Sequence, residues 1–240
     1  MLFRSTGLLR TMGLQDRTAG VTLYGPRGAQ RLLGAAVTLG IERNKFPVEI
    51  VEVAPGQRLA RAEYDIVPFE TEHRADTMGY ALVEHTRRGK FHPDRARELG
   101  IPEGPLWGRL SRGETIVLED GRLIDPAGLV GTTRSGRTVV YTGDTRPHPA
   151  VVEAARGADL LVHEATFGEE EAARAVETGH STAAEAARVA LEAGVRQLVL
   201  THISPRYSRE APELLAEARA VFPETIVARD GLTIEVPFAD

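Results

Sequence analysis

The sequence predicts a layered α/β fold interrupted by one projecting insertion, and three observations carry that expectation. From Thr138 onward strand-like and helix-like stretches alternate, between His92 and Asp125 the texture turns to Pro, Gly, Arg and Glu, and polar residues gather where apolar runs end. With 240 residues, 42% apolar and 26% charged, the chain can build a core in one large domain or two small ones. Disordered and fibrous architectures are excluded.

In chain order, apolar residues recur at helical spacing from Ala29 through Leu32, Leu33, Ala36 and Val37 to Leu39, with Gly40 as a stop signal. Val48 to Val53 alternates, and Tyr64 to Phe69 and Tyr80 to His85 are rich in β-formers, so the first half reads as mostly strand. Gly104-Pro105, Gly108, Gly113 and Asp120-Gly121 punctuate the insertion. After it come an expected strand at Thr138 to Thr142, a helix at Pro149 to Arg156, a strand at Leu160 to His163 and a helix at Ser181 to Ala193. The series closes with a strand at Leu198 to Thr201, a helix at Pro212 to Val221 and a hairpin at Thr225 to Val236 turning on Asp230-Gly231.

Composition narrows the chemistry. No cysteine is present, which removes disulfide frameworks, thiolate zinc fingers, iron–sulfur clusters and cysteine nucleophiles together; any metal must be held by His, Asp or Glu. A net charge of −5 leaves no wholly basic coat for nucleic acid, although a local patch is compatible with it. Apolar runs are too short to span a bilayer and Met1-Leu2-Phe3-Arg4 lacks a signal-peptide stretch, so the chain reads as cytoplasmic, without a membrane partner.

Thr71-Glu72-His73, Gly143-Asp144-Thr145, His163-Glu164-Ala165-Thr166, His180-Ser181-Thr182 and Thr201-His202-Ile203-Ser204 each follow an apolar run or precede a helix. Strand ends are where α/β sheets bind ligands. Four of the seven His sit there beside Asp144 and Glu164, a donor set that suits a catalytic zinc. A single His after a strand is ordinarily structural; the joint placement points to a binuclear metal-dependent hydrolase. His163 is left out of the metal set, and His85, His92 and His148 are expected on the surface or in loops.

The same residues resemble a known family. Phe69-Glu70-Thr71-Glu72-His73 with Met78-Gly79-Tyr80, Tyr141-Thr142-Gly143-Asp144-Thr145-Arg146-Pro147, Leu161-Val162-His163-Glu164-Ala165-Thr166-Phe167, Gly179-His180-Ser181-Thr182-Ala183 and Leu200-Thr201-His202-Ile203-Ser204 with Arg206-Tyr207 are similar, in order and spacing, to ribonuclease Z, the tRNA 3′-processing endonucleases of the metallo-β-lactamase superfamily. The resemblance implies an αββα sandwich over residues 1–240, with 86–125 as an inserted flexible arm that grips tRNA. It further implies that His73 binds one zinc, His202 the other, and that Asp144 bridges the two. His180 would then give a proton to the leaving 3′ oxygen, with Glu164 orienting it. In the arm, Gly104, Pro105, Arg109 and Arg112 would meet RNA. Zn2+, two per subunit, precursor tRNA and a homodimer are the implied cofactor and partners.

One departure stands out. Family members begin with a strand pair and a His-x-His-x-Asp-His motif, whereas here the match starts near Thr6-Gly7-Leu8-Leu9-Arg10, similar to the helix after that motif, and Met1 to Ser5 match nothing. The expectation is therefore an N-terminally truncated domain with a sheet edge prone to association. Three donors, one of them shared, leave each metal only two protein ligands, below the three a catalytic zinc keeps, so weak metal binding and little or no hydrolysis are expected.

Between Arg87 and Arg112 lie seven cations against three anions. Charge alone fits a solvated loop; the Gly104-Pro105 resemblance turns the reading toward phosphate contacts. Trp107 and Phe91 could stack on nucleotides, but a lone aromatic in a loop more often packs onto its own module. Two other readings compete: a metallo-β-lactamase-fold hydrolase of small esters or phosphodiesters, and a non-catalytic tRNA-binding subunit.

Overall fold

The alternation after Thr138 becomes the parallel half of a seven-stranded sheet. A computed structural model describes residues 2–38, 45–208 and 210–238. Its elements are α1 (Leu2–Leu14), β1 (Val21–Gly25), α2 (Ala29–Thr38), β2 (Val48–Glu52), β3 (Leu59–Ala60), β4 (Tyr64–Thr71), β5 (Thr77–Glu84), α3 (Pro93–Glu98), α4 (Pro105–Ser111), β6 (Ile116–Val117) and β7 (Leu123–Ile124). There follow β8 (Thr138–Tyr141), α5 (Pro149–Ala154), β9 (Leu160–Glu164), α6 (Ala172–Thr178), α7 (Ala183–Ala193), β10 (Leu198–Thr201), α8 (Pro212–Val221) and β11 (Thr225–Val227). Two compact units divide the chain: Met1–Val83 with Thr138–Val236, and Glu84–Arg137 with Pro237–Asp240.

In the first unit the sheet order is β11-β10-β9-β8-β5-β4-β3. Strands β8 to β11 are parallel and β5 runs antiparallel to β8. Leu161, Leu198, Leu200 and Val140 are fully buried and pack with the small face of α7, where Ala183, Ala186, Ala187 and Ala190 allow close approach. Helix α7 starts on a capping box, with Thr182 Oγ1 accepting from Glu185 N and Glu185 returning the bond to Thr182 N, and stops at Gly194 in the left-handed region. Helix α5 starts similarly: His148 accepts from Ala150 N and Pro149 fills the first turn. Strands β1 and β2 form a separate parallel pair, and Leu9, Val37 and Phe46 make a small core nearby.

Several boundaries differ from the sequence reading. The expected hairpin at Thr225 to Val236 is a single strand, β11, joined in parallel to β10 after the α8 crossover. The Asp230-Gly231 turn does form, with Gly231 at φ 81 and Leu232 N donating to Arg229 O, but the segment beyond it makes no ladder. Periodicity placed neither α1, known only by resemblance, nor β1. Leu39 and the stop at Gly40 lie outside the described residues.

The second unit, which contains the expected insertion, has its own core of Ala96, Ile101, Leu110, Ile116, Leu118, Ile124 and Leu129. Trp107 packs down onto it, its Nε1 donating to Ile101 O at 3.2 Å and its ring 5.4 Å from that of Phe91.

Candidate metal-dependent active site

Parallel neighbours deliver their C-terminal ends to one edge, so the segments after β8, β9 and β10 place Asp144, Glu164 and His202 side by side. Strand β4 runs into Thr71-Glu72-His73, which is tied to the β8 loop by Arg146 N donating to Glu72 O at 2.7 Å and Glu72 N donating to Thr145 Oγ1 at 3.0 Å. His180 arrives between α6 and α7. Gly179, at φ 76, closes α6 in the left-handed region, where a Cβ would lie 3.0 Å from His73 Nδ1. That close approach lets the Gly179 carbonyl accept from His73 Nδ1 at 2.7 Å.

Glu164 organises the centre. It is fully buried; its Oε1 accepts from Thr145 N at 3.1 Å and from His180 Nδ1 at 2.7 Å, and its Oε2 from Thr166 N at 3.0 Å and Thr166 Oγ1 at 2.7 Å. Burial pushes this carboxyl up, but the hydrogen bonds of His180 and Thr166 outweigh it and hold the group below the usual carboxylate range. The same bond to Glu164 raises the His180 imidazole against its burial, so the imidazolium is favoured.

The hydroxyl of Thr166 has one proton, and that proton goes to Glu164. Its oxygen therefore accepts from His202 Nδ1 at 2.8 Å, which leaves the Nε2 lone pair of His202 facing Asp144 Oδ1, 3.5 Å away. That gap exceeds a hydrogen bond and suits two donors sharing one cation at about 2.0–2.2 Å each. His73 is fixed the same way: a carbonyl on Nδ1 leaves Nε2 as the donor atom. His202 holds φ 58, uncommon for a residue with a Cβ, the kind of backbone strain that collects at functional sites.

The five predicted residues are thus brought to one mouth. Donor atoms of Glu164, His180 and His202 lie within 4.8 Å of one another, the His180 ring stands 5.0 Å from that of His73 and 5.2 Å from that of His202, and Asp144 faces His202. Glu164 already accepts four hydrogen bonds, one of them from His180; His73, Asp144 and His202 keep donor atoms of the kind that fit a divalent metal. His163 is buried, its Nδ1 donating to Glu164 O at 2.7 Å, and burial pushes its pKa down, consistent with a structural role. Arg206 is paired with Glu171 at 2.8 Å. Gly104 precedes α4 and Pro105 opens it, while Arg109 and Arg112 both pair with Glu114 at 2.9 Å; these four belong to the second unit.

Sequence reasoning gave no part to Arg146 and Glu185. The two form a bidentate pair, 17% exposed on each side, and Arg146 Nη1 also donates to His180 O. No local signal links residues 39 positions apart. Thr166 was visible only as part of the His163-Glu164-Ala165-Thr166 string.

Comparison with known proteins gives consistent results. Residues 108–203 match the family model described as a beta-lactamase superfamily domain. The chain is 57% identical over 237 residues to a protein of Gemmatimonas aurantiaca named Ribonuclease Z, covering 98% of this chain and 76% of that one. A Ribonuclease Z of Myxococcus xanthus is 52% identical over 235 residues, with the same coverage of 98% and 76%. Among solved structures, the short form of human tRNase Z superposes with a TM-score of 0.60 at 21% identity, over 97% of this chain and 73% of that one. A metallo-beta-lactamase fold protein of Bacillus subtilis gives 0.60 at 19% identity, over 96% and 71%. At these identities the structural likeness speaks to the fold, which is that of the metallo-β-lactamases.

Proposed function

Because this chain belongs to the ribonuclease Z family, we propose that it is built to hydrolyse the phosphodiester joining a precursor tRNA to its 3′ trailer. The observation that carries the proposal is the bonded series His180–Glu164–Thr166–His202, which orients three imidazole and carboxylate groups and ends facing Asp144. His73, Asp144 and His202 would hold the metal. Zinc suits a donor set of imidazole and carboxylate, and when bound it supplies an acidified water and a polarised phosphate.

The chain's own residues do the rest. Glu164, charged and buried, holds His180 by Nδ1 and favours its protonated form. The Nε2–H of His180 then donates its proton to the 3′ oxygen as the phosphorus–oxygen bond breaks, while water adds to phosphorus and gives up a proton to solvent, from which His180 is reprotonated. Thr166 holds His202 in the tautomer that presents Nε2. Arg146 sets the His180 main chain through its carbonyl. Residues Gly104, Pro105, Arg109 and Arg112 serve RNA binding in the arm, where Arg109 and Arg112 would exchange Glu114 for phosphate.

The working form is proposed to be a cytoplasmic homodimer; among the described residues no helix is long and apolar enough to cross a membrane. Calorimetric titration of zinc into the wild type, D144A and H202A, with filter binding of a 3′-extended tRNA, tests the reading. Zinc binding that disappears in both variants, with tRNA binding kept, supports it. Zinc binding unchanged in both, or a 3′-extended tRNA bound no better than an unstructured RNA, would overturn it.

A further inference from the structure

The second unit begins and ends on two segments that run side by side, residues 84–91 going out and 130–137 coming back. They are joined at intervals along their length: Glu84 N donates to Arg137 O at 2.9 Å, Arg87 and Arg134 exchange two backbone hydrogen bonds of 2.8 Å, Gly131 N donates to Lys90 O at 2.9 Å, and Phe91 bridges Val130. Their backbones nearly touch, since a Cβ on Gly89 would meet Gly131 O at 1.9 Å and one on Gly136 would meet Glu84 O at 2.3 Å. Electrostatically the pairing is awkward. Arg87 and Arg134 face each other across it, Arg137 stands nearby, and Glu84 is engaged by Arg137. Arg87 Nε and Nη2 and Arg134 Nε are moreover buried with no hydrogen-bond partner among the described residues, a costly state for a guanidinium unless something else compensates it.

Phe238 supplies the compensation. Its ring centroid is 3.2 Å from Arg87 Cζ and 4.0 Å from Arg137 Cζ, so a single aromatic ring meets a cation of the outgoing segment and a cation of the returning segment. The negative π-surface of the ring attracts both guanidinium groups. Pro237 and Phe238 group with this unit although the preceding residues through Val236 group with the other.

We propose that Phe238 is a latch residue: by sitting between Arg87 and Arg137 it holds the two base segments of the arm together, and so positions the arm for tRNA without touching RNA. The second half of this statement rests on the reading of the unit as a tRNA-binding arm. Phe238 is a positioning residue, acting through Arg87 and Arg137.

The test compares wild type, F238A and F238W by amide hydrogen exchange and by filter binding of a 3′-extended tRNA over a salt series. In F238A, exchange at the Arg87 and Arg134 amides should speed up about tenfold, the scale of losing two cation–π contacts, while amides of β8, β9 and β10 stay unchanged. Affinity for tRNA should fall about three- to tenfold with an unchanged salt slope, because no phosphate contact is removed; F238W, which keeps an aromatic face, should restore both. Unchanged exchange in F238A would overturn the latch. Tighter tRNA binding with a steeper salt slope would also overturn it, because Phe238 would then be masking arginines that seek phosphate. If the wild type itself bound no tRNA, the arm reading would fall, and the exchange rates would still decide whether Phe238 holds the two segments together.

Discussion

The mouth and the second unit both carry charged side chains, and they hold them differently. In the mouth, Glu164 is fully buried and takes four hydrogen bonds, and the bidentate Arg146–Glu185 pair spans 39 residues at 17% exposure on each side. In the second unit Arg95–Glu98, Arg97–Asp94 and Arg122–Asp120 are near neighbours in sequence with more than half of each side chain in water. Burial makes a missing partner costly, because a buried group left without one keeps its whole desolvation penalty. Exposed pairs can open and be re-solvated at little cost, as the proposed exchange of a carboxylate for a phosphate requires.

Substitutions should therefore separate the two regions. Glu164→Ala should be the most damaging, leaving Thr145 N, Thr166 N and the His180 ring without their acceptor; a loss of about 3 kcal/mol is expected in urea denaturation, and a loss under 1 kcal/mol would remove the contrast. Arg146→Ala should follow at about 2 kcal/mol, since it strands the Glu185 carboxylate and frees the His180 carbonyl. Arg146→Lys should recover only part of this, having no planar fork for a bidentate bond. A His180 ring resonance unmoved in R146A would deny Arg146 its positioning role.

A smaller effect is expected from pH. The hydrogen bond from Arg137 lowers Glu84 to about 2 from an ordinary 4.5. A carboxyl depressed in the folded state stabilises above its unfolded pKa and loses that contribution as pH falls toward its folded value. Stability should accordingly drop by about 1 kcal/mol between pH 4.5 and pH 2, allowing for partial solvent screening, and E84Q should flatten that part of the profile. Least of all should Arg109→Ala matter to folding, within about 0.5 kcal/mol. In tRNA binding, however, it should reduce the salt slope by about one; an unchanged slope would place Arg109 away from the RNA backbone.

How much was legible follows the same division. Chemistry-bearing residues at strand ends were readable because a strand followed by a polar cluster is a local pattern: Thr71-Glu72-His73, Gly143-Asp144-Thr145 and Thr201-His202-Ile203 each announce themselves within a few positions. Helix α7, expected at Ser181 to Ala193, was placed to within two residues. The terminal hairpin was misread because an Asp-Gly turn implies a returning strand only if an open edge awaits it, and pairing is a property of the assembled sheet.

The sequence by itself determined which groups could act: a cysteine-free set of imidazoles and carboxylates, each at the end of its own strand or ahead of its own helix, and a cationic insertion punctuated by Gly and Pro. Tertiary structure alone decided how those groups are wired. The route from His180 through Glu164 and Thr166 to His202, the Arg146–Glu185 clamp and the clasp of Phe238 between two arginines join residues many positions apart. Hydrogen bonds and cation–π contacts act over a few ångströms of space and carry no record in chain spacing, so such partners exist only once parallel strands have set their ends side by side.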